Sequence, residues 1–177
     1  MKKIAILFLL LSAFSNAQTV KSKNLLLKYT PPAGWNAKEF GGISPWEDSG
    51  NESDSYRICK CGGVYFYRTH GDGKMNVIVY ASTQSGLDST KRNFVGSLHF
   101  EDVQKWDRTK NKAFSFERKK SYFTDSKTKA KSYEVIRYQT KVDTHFYIIY
   151  AWQENMQTLN STNEKLLYEM VNAIEPL

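Results

Sequence analysis

Apolar and polar residues alternate along much of the chain, which is the pattern of β-strands. The alternation from Lys74 to Ser82 follows a shorter run, Val64–Arg68, and a glycine-rich turn joins the two into a predicted hairpin. Both alternating sets of the last predicted strand are largely apolar, so we expect that strand to be central and covered on two faces. Three consecutive antiparallel strands, of which it is the third, are predicted at Ala113–Phe123, Lys131–Val142 and Thr144–Gln153.

Two segments have apolar residues at helical spacing. One predicts a helix over Asp88–His99, and the other predicts a C-terminal helix from Ser161 to Ile174. Ser161 and Glu164 form a capping-box pattern at the start of the second helix, and Pro176 marks its end.

The segments before and between these elements are predicted to be short strands, turns and loops. Asn24–Tyr29 is a predicted short strand that ends at a Pro/Gly turn. Asn36–Asp54 contains Gly, Ser, Pro and acidic residues without periodicity, which predicts a long loop, and loops of that length are often functional. Together the elements predict a single α+β domain with an antiparallel sheet covered by helices.

The first 17 residues have the pattern of a secretory signal peptide. Lys2 and Lys3 precede an eight-residue apolar run, Ile4–Leu11, and the small residues Ser15–Ala17 precede the predicted cleavage site. The apolar run is too short to span a bilayer, which takes about 20 residues. We therefore expect residues 18–177 to form the single domain of an exported protein, periplasmic or secreted, without stable membrane insertion.

The segment Tyr29-Thr-Pro-Pro-Ala-Gly-Trp35 closes the first predicted strand. Together with the meander of long strands and the C-terminal amphipathic helix, it resembles PsbP/Mog1-like proteins. The resemblance implies an α/β/α sandwich around an antiparallel sheet and a non-enzymatic accessory, chaperone or binding role. The acidic loop and the two cysteines depart from the family pattern. The family has no shared catalytic motif, so the resemblance assigns no functional residue.

Cys59 and Cys61 are the two cysteines of the chain, and an exported protein meets conditions that favour their oxidation. On a regular strand their Cα atoms would lie about 6.5–7 Å apart, at the upper limit for a disulfide, although the Gly-Gly pair that follows could provide a bend. An intermolecular disulfide, free thiols, a soft-metal site and a nucleophilic thiol are the alternatives. None of the three histidines lies at ligand spacing from the pair, so no metal or cofactor is predicted.

Catalytic motifs are absent from the sequence, which has no nucleophile elbow, zinc-protease helix or phosphate-binding glycine loop. Glu47 and Asp48 are adjacent acids, but acids in a loop are usually solvated and need a defined geometry to act in catalysis. His70 is predicted at a hairpin tip, His99 at a helix end and His145 at a strand start. We expect no enzyme activity, and a hydrolase whose site is assembled from distant residues is an alternative.

Charge is segregated along the chain, whose formal net charge is +7. Residues 36–56 contain five acids and one base, whereas residues 105–131 contain ten bases and three acids. This distribution can steer an acidic partner toward the basic segment, or it can belong to exposed strands whose lysines prevent edge-to-edge pairing. The predicted protein-binding residues are Trp46, Glu47 and Asp48 from the acidic segment and Lys105, Arg108, Arg118, Lys119 and Lys120 from the basic one.

These observations predict a non-enzymatic module that binds another protein, one that can carry an acidic patch. Examples are a periplasmic immunity protein that occludes a toxin and an accessory or chaperone-type protein that holds a client. A carrier of a small ligand or a metal at Cys59 and Cys61 is the alternative, and the oligomeric state is left open. Tyrosines and tryptophans beside basic residues can bind nucleic acid, but that partner is scarce outside the cytoplasm and is not expected.

Overall fold

The structure is a computed structural model that describes residues 18–41, 62–71, 73–82, 98–105, 107–111, 113–125, 131–154 and 157–177. The predicted signal peptide, residues 1–17, lies outside this part of the chain. The described residues form eleven β-strands and one α-helix. In chain order these are β1 (Val20–Ser22), β2 (Leu27–Tyr29), β3 (Asn36–Gly41), β4 (Gly62–His70), β5 (Gly73–Ser82), β6 (Leu98–Asp102), β7 (Asp107–Lys110), β8 (Ser115–Asp125), β9 (Lys131–Val142), β10 (His145–Gln153), α1 (Ser161–Asn172) and β11 (Ile174–Pro176).

Eight of these strands form one antiparallel sheet, in the order β3-β4-β5-β10-β9-β8, with β6 and β7 both paired to the outer side of β8. The other three, β1, β2 and β11, form a small antiparallel sheet. β4 and β5 are the predicted hairpin, and β8, β9 and β10 are the three predicted consecutive strands. β10 lies in the middle of the large sheet, between β5 and β9, as its sequence pattern predicts.

One face of the large sheet, here called the helix-side face, packs against α1 and the small sheet. Alternate residues of β5 and β10 point into this core, because side chains two apart on a strand share a face. α1 contributes Leu167, Met170 and Val171, all of them buried. The small sheet contributes Tyr29, whose ring meets that of Phe66 edge-on at 5.0 Å between centroids. Burial of apolar surface therefore holds α1 and the small sheet against the large sheet.

The opposite face of the large sheet, here called the aromatic face, has a buried core of its own. Large rings dominate it, and Phe123 lies edge-on to Trp152 at 5.7 Å and to Tyr133 at 5.4 Å. Tyr150 and Trp152 of β10 are 1% and 0% exposed on this side. β10 is therefore buried on both faces, which confirms the prediction drawn from its two apolar sets.

The C-terminal helix is present, but its first residues are capped differently from the prediction. Asn160 is the N-cap residue, and its side-chain oxygen accepts from Asn163 N at 2.9 Å. Asparagine is among the best N-cap residues because its short side chain reaches this donor from an extended backbone. The predicted capping box of Ser161 and Glu164 is therefore wrong, and Glu164 instead turns toward the large sheet.

The helix ends at Asn172, before the predicted end. Ile174 keeps the buried position that the apolar stripe predicts, but it does so as the first residue of β11, opposite Tyr29 of β2. Pro176, predicted as a stop signal, is the last residue of that strand. Pairing with β2, which is distant in sequence, therefore replaces the last turn of the predicted helix. Within the described residues, no helix combines the length and the apolar character needed to cross a bilayer.

Two segments predicted as loop or helix are edge strands instead. Asn36–Gly41 is β3, and its side chains as far as Glu39 are exposed, so no apolar alternation reveals the strand. Leu98 and His99 begin β6, because their backbone pairs with β8. The rest of the predicted loop and of the predicted helix lies outside the described residues.

The predicted first strand, Asn24–Tyr29, is extended only over β2. Residues 23–26 form a turn in which Leu26 has a φ of 50°, a left-handed conformation that is uncommon for leucine. The Tyr147 hydroxyl of β10 donates to the Leu25 carbonyl at 3.1 Å and fixes this turn against the large sheet. A tertiary hydrogen bond thus stabilises a backbone conformation that the local sequence does not favour.

Replacing Asn160 by alanine is expected to destabilise the protein by about 1 kcal/mol, because the change removes the N-cap acceptor. Ser161→Ala is the matched control and should change the free energy of unfolding by less than about 0.5 kcal/mol. Urea unfolding followed by circular dichroism measures both values. The opposite ranking would show that Ser161 caps the helix in solution.

Candidate functional site

The outer edge of β8 is covered by two short strands that are separated by a bulge. Asp102, the last residue of β6, lies opposite Ser121, whereas Asp107, the first residue of β7, lies opposite Arg118. More residues therefore lie between Asp102 and Asp107 than between the paired positions on β8, Ser121 and Arg118. The segment that includes residues 103–105 accommodates the difference as a bulge. Bulges re-aim neighbouring side chains and are frequent beside functional sites.

A carboxylate and three donors meet at this bulge. The Asp102 carboxylate accepts from Lys119 Nζ at 2.5 Å and from Ser121 Oγ at 2.8 Å. It also lies 3.3 Å from Arg137 Nη1. Lys119 and Ser121 share a face of β8 because they are two residues apart, and Arg137 lies opposite Lys119 on β9. The register of three strands thus assembles residues that are distant in sequence.

The two cations of this cluster are more buried than its carboxylate. The side chains of Lys119 and Arg137 are 11% and 9% exposed, whereas that of Asp102 is 44% exposed. The Arg137 guanidinium lies over the Tyr150 ring, 6.0 Å from its centroid, where the ring face attracts a cation. The cluster is therefore a pair of buried cations that share a carboxylate reached by solvent.

A groove of about 480 Å³ opens at the cluster. Asp102 and Lys119 line it from the sheet, and Val103, Gln104 and Lys105 line it from the bulge. Val103 is 46% exposed, and the Lys105 side chain is also exposed. The groove therefore offers an apolar contact, a neutral amide and positive charge within a few residues of each other.

The surroundings of Asp102 lower the pKa of its carboxyl below the ordinary value of 3.8. Burial alone raises this pKa, because a less polar environment disfavours the charged form. The hydrogen bonds from Lys119 and Ser121, with the charges of Lys119 and Arg137, outweigh burial and lower the pKa. Asp102 is therefore ionised at neutral pH, where it pairs with both cations.

Arg118 and Lys120, two of the predicted binding residues, face the helix side of the sheet. Arg118 Nη2 lies 3.3 Å from the Glu164 carboxylate of α1, and Lys120 also pairs with Glu164. Lys120 Nζ lies 3.8 Å from a carboxylate oxygen of the buried Glu134. These ion pairs connect the start of α1 to the sheet. The strand period of two thus sends Lys119 to the groove and its two neighbours to the helix.

The other predicted binding residues divide between the groove region and the undescribed part of the chain. Lys105 lines the groove, and Arg108 is exposed on β7. Their role in binding stays a prediction. The acidic-segment residues and both cysteines, with their possible disulfide or metal site, lie outside the described residues: Trp46, Glu47, Asp48, Cys59 and Cys61.

His70 and His145 lie at the ends of strands. His70 is the last residue of β4, and its carbonyl accepts from Gln153 Nε2 at 3.2 Å. His145 begins β10 and stacks on the Tyr147 ring, with 6.3 Å between centroids. In the part of the chain that the structure describes, no three His, Cys, Asp or Glu side chains are arranged to hold a metal ion.

Three members of the cluster escape prediction from sequence: Asp102, Ser121 and Arg137. Arg137 carries a usable signal, because it is a charged residue in the same alternate set of β9 as the apolar residues Tyr133 and Val135. Ser121 carries a weaker signal, because it lies two residues from Lys119 and therefore on the same face of a long strand. No local pattern places Asp102 opposite Ser121, since that contact depends on the pairing of distant strands.

Comparison with known proteins identifies the class of fold, which is that of PsbP-like α+β proteins. No model of a known protein family matches the sequence, and no curated protein matches it. Among solved structures, the chain is similar to cyanobacterial PsbP (CyanoP) from Synechocystis sp. PCC 6803, with a TM-score of 0.53 and 11% sequence identity. The similarity covers 93% of this chain and 96% of that chain. It confirms the predicted PsbP-like fold, and at this identity the likeness concerns the fold alone.

Replacing Asp102 by asparagine is expected to lower the free energy of unfolding at pH 7 by about 1–3 kcal/mol, because two buried cations lose this carboxylate. The folded-state pKa of Asp102 is lowered, so its contribution is fully present above the ordinary value of 3.8 that applies to the unfolded chain and is lost as the pH falls through the folded pKa. The gap between wild type and variant should therefore close below pH 4. Urea unfolding from pH 7 to pH 2.5 measures it, and a gap that stays constant would contradict the assignment.

Replacing Lys120 by methionine is expected to cost about 1–3 kcal/mol of stability, since the buried Glu134 and the helix residue Glu164 both lose a cation. Arg108→Met on the exposed strand β7 removes the same charge and should change stability by less than about 0.5 kcal/mol. Urea unfolding at pH 7 compares the two variants. Equal losses would mean that the ion pairs to α1 do not stabilise the fold.

Proposed function

We propose that this chain is a non-enzymatic module that binds another protein, and that its docking surface is the bulged edge formed by β6, residues 103–105 and β7. The observation that carries the proposal is the groove at the bulge, where exposed Val103 and Lys105 adjoin an ion-pair cluster held by the sheet. The buried side chains of Lys119 and Arg137 beneath the groove favour binding, because groups already held in place lose little conformational entropy in a complex.

The surroundings of the groove suit contact by side chains. Among the described strands, none pairs with the outer side of β6 or β7. A bulge interrupts that edge, and bulges and charges on an edge disfavour the addition of a continuous strand. A partner would therefore place side chains into the groove, with Val103 as an apolar contact and Lys105 and Arg108 at the polar rim.

Charge indicates the kind of partner. The chain has a formal net charge of +7, and Lys105 and Arg108 are exposed beside the groove, with the acids Glu101 and Asp107 exposed on the same edge. The net charge would attract an acidic surface, and steering of this kind accelerates association more than it adds affinity. The proposed partner is therefore a protein with an acidic patch.

The predicted signal peptide suggests where this binding takes place. An exported chain would meet its partner in the periplasm or outside the cell, as an immunity protein that occludes a toxin or as an accessory protein that holds a client. In either version the mechanism is steric, since this module covers a surface of the partner to which it binds. The partner's affinity would then depend on a few side chains at the centre of the contact.

A charge reversal at the groove tests this proposal. Tagged wild-type protein is used at low salt to capture partners from an extract of the native host, and Lys105→Glu is compared with Lys38→Glu. Both lysines are exposed on edge regions of the large sheet, but Lys38 lies on β3 at the opposite edge. We expect a stoichiometric protein to be retained by Lys38→Glu, to bind Lys105→Glu at least about tenfold more weakly, and to dissociate as salt is raised.

Two outcomes of that experiment would contradict the proposal. If wild-type protein captures no stoichiometric partner, the protein-binding role is wrong. If Lys105→Glu and Lys38→Glu reduce capture equally, the partner binds elsewhere on the molecule.

A further inference from the structure

We propose that Lys119, Ser121 and Arg137 form a receptor for one carboxylate, and that Asp102 occupies it in the free protein until an acidic side chain of a partner takes its place. The second half of this inference rests on the proposed protein-binding function. The first half concerns the isolated chain and can be tested without any partner.

The donors converge on a volume the size of one carboxylate. Lys119 Nζ reaches one oxygen of Asp102, and Ser121 Oγ and Arg137 Nη1 both reach the other. An ammonium, a hydroxyl and a guanidinium are three different donors, and all of them favour an ionised acceptor with two oxygens. The set therefore recognises the carboxylate group and not the residue that carries it.

The donors belong to the interior of the sheet, whereas the carboxylate belongs to its edge. β9 lies between β8 and β10, so Arg137 is held by strands on both sides, and its guanidinium packs over Tyr150. Asp102 ends β6, which pairs with β8 on one side only, and the bulge follows after Val103, whose backbone N still donates to Lys120 O at 3.2 Å. Residues at the end of an edge strand open at a lower free-energy cost than residues in the centre of a sheet. The receptor is thus the fixed part and Asp102 the movable part.

Exchange of one carboxylate for another keeps the receptor occupied. Removing the carboxylate from two buried cations is costly, but a replacement carboxylate restores the ion pairs. A neutral ligand would not, so the site discriminates by charge. The groove leads to the half-exposed Asp102, and Lys105 on its rim attracts an incoming anion while Val103 can contact the methylene groups of an aspartate or glutamate.

Formate tests the receptor in the isolated protein. Asp102→Ala deletes the carboxylate but keeps the Cβ atom, so formate supplies what is missing. We expect formate to raise the thermal unfolding midpoint of Asp102→Ala in a saturable manner, by about three times or more its effect on wild type, as ligand binding to the folded state requires. Formamide, which has a similar size and no charge, is the control and should have no such effect. Adding Lys119→Met to Asp102→Ala should abolish the extra stabilisation that formate gives to Asp102→Ala relative to wild type.

Two results would overturn the receptor. One is a formate effect of equal size on wild type and on Asp102→Ala. The other is stabilisation of Asp102→Ala by formamide as strongly as by formate, which would indicate a cavity without charge recognition.

The exchange of Asp102 for another carboxylate is tested on the wild-type protein. This experiment also tests the receptor if Asp102→Ala does not fold. The carboxyl carbon of Asp102 is observed by NMR in protein labelled with ¹³C-aspartate, while an acetylated Gly-Glu-Gly amide is added. We expect this resonance to shift toward that of a solvated aspartate, and a Gly-Gln-Gly peptide to leave it unchanged. Identical responses to the two peptides would overturn the exchange. Neither measurement involves a host protein, so a carboxylate receptor found without a captured partner would separate this inference from the proposed function.

Discussion

Burial of β10 on both faces is the constraint on which the rest of the structure depends. A strand covered on two sides has to place every side chain in one core or the other, so a slip of one residue against its neighbours would exchange the two cores. Ile149 accordingly stands opposite Val79 and Tyr138 on the helix-side face. Tyr150 stands opposite Arg137 on the aromatic face, which places a guanidinium over a buried ring. The hydrophobic register of β10 thus positions a charged group.

The same alternation continues outward to β8 and divides a run of three bases between two sides of the sheet. Arg118 and Lys120 pair with carboxylates near α1, and Lys119 pairs with Asp102 at the groove. Because the three bases face two sides of the sheet, they do not form one basic surface. Arg118 also opposes the rise in the pKa of Tyr138, which burial raises to about 12. Much of the charge in this segment is used to hold the fold together.

The bulge between β6 and β7 connects this internal arrangement to the outside of the molecule. A regular edge strand would present alternating side chains and a continuous row of backbone groups. Val103 still donates from its backbone N to Lys120 O of β8 at 3.2 Å, while the extra residues of the bulge leave a groove with a charged floor, lined by Asp102 and Lys119. Buried cations are costly unless they are paired. Lys119 and Arg137 meet this requirement by pairing with Asp102, whose carboxylate is accessible to solvent.

The sequence by itself determined the features that follow from local patterns. Alternation marked the hairpin of β4 and β5 and the three long strands, and two apolar sets marked β10 as central. It also marked a C-terminal helix, because helical periodicity and a polar cap region are local properties. The resemblance carried by the turn from Tyr29 to Trp35 and by the order of elements led to the PsbP-like fold that the comparison with solved structures confirms.

Tertiary structure decided the rest, because it depends on which distant strands pair. β3 and β6 escaped prediction, since edge strands are held by backbone hydrogen bonds and need no apolar alternation. The end of α1 was set by the pairing of β11 with β2. Arg118, Lys119 and Lys120 are adjacent bases in the sequence, and only the pleat of β8 separates them. Asp102 becomes part of a site only through its pairing opposite Ser121, a contact between residues that no local pattern connects.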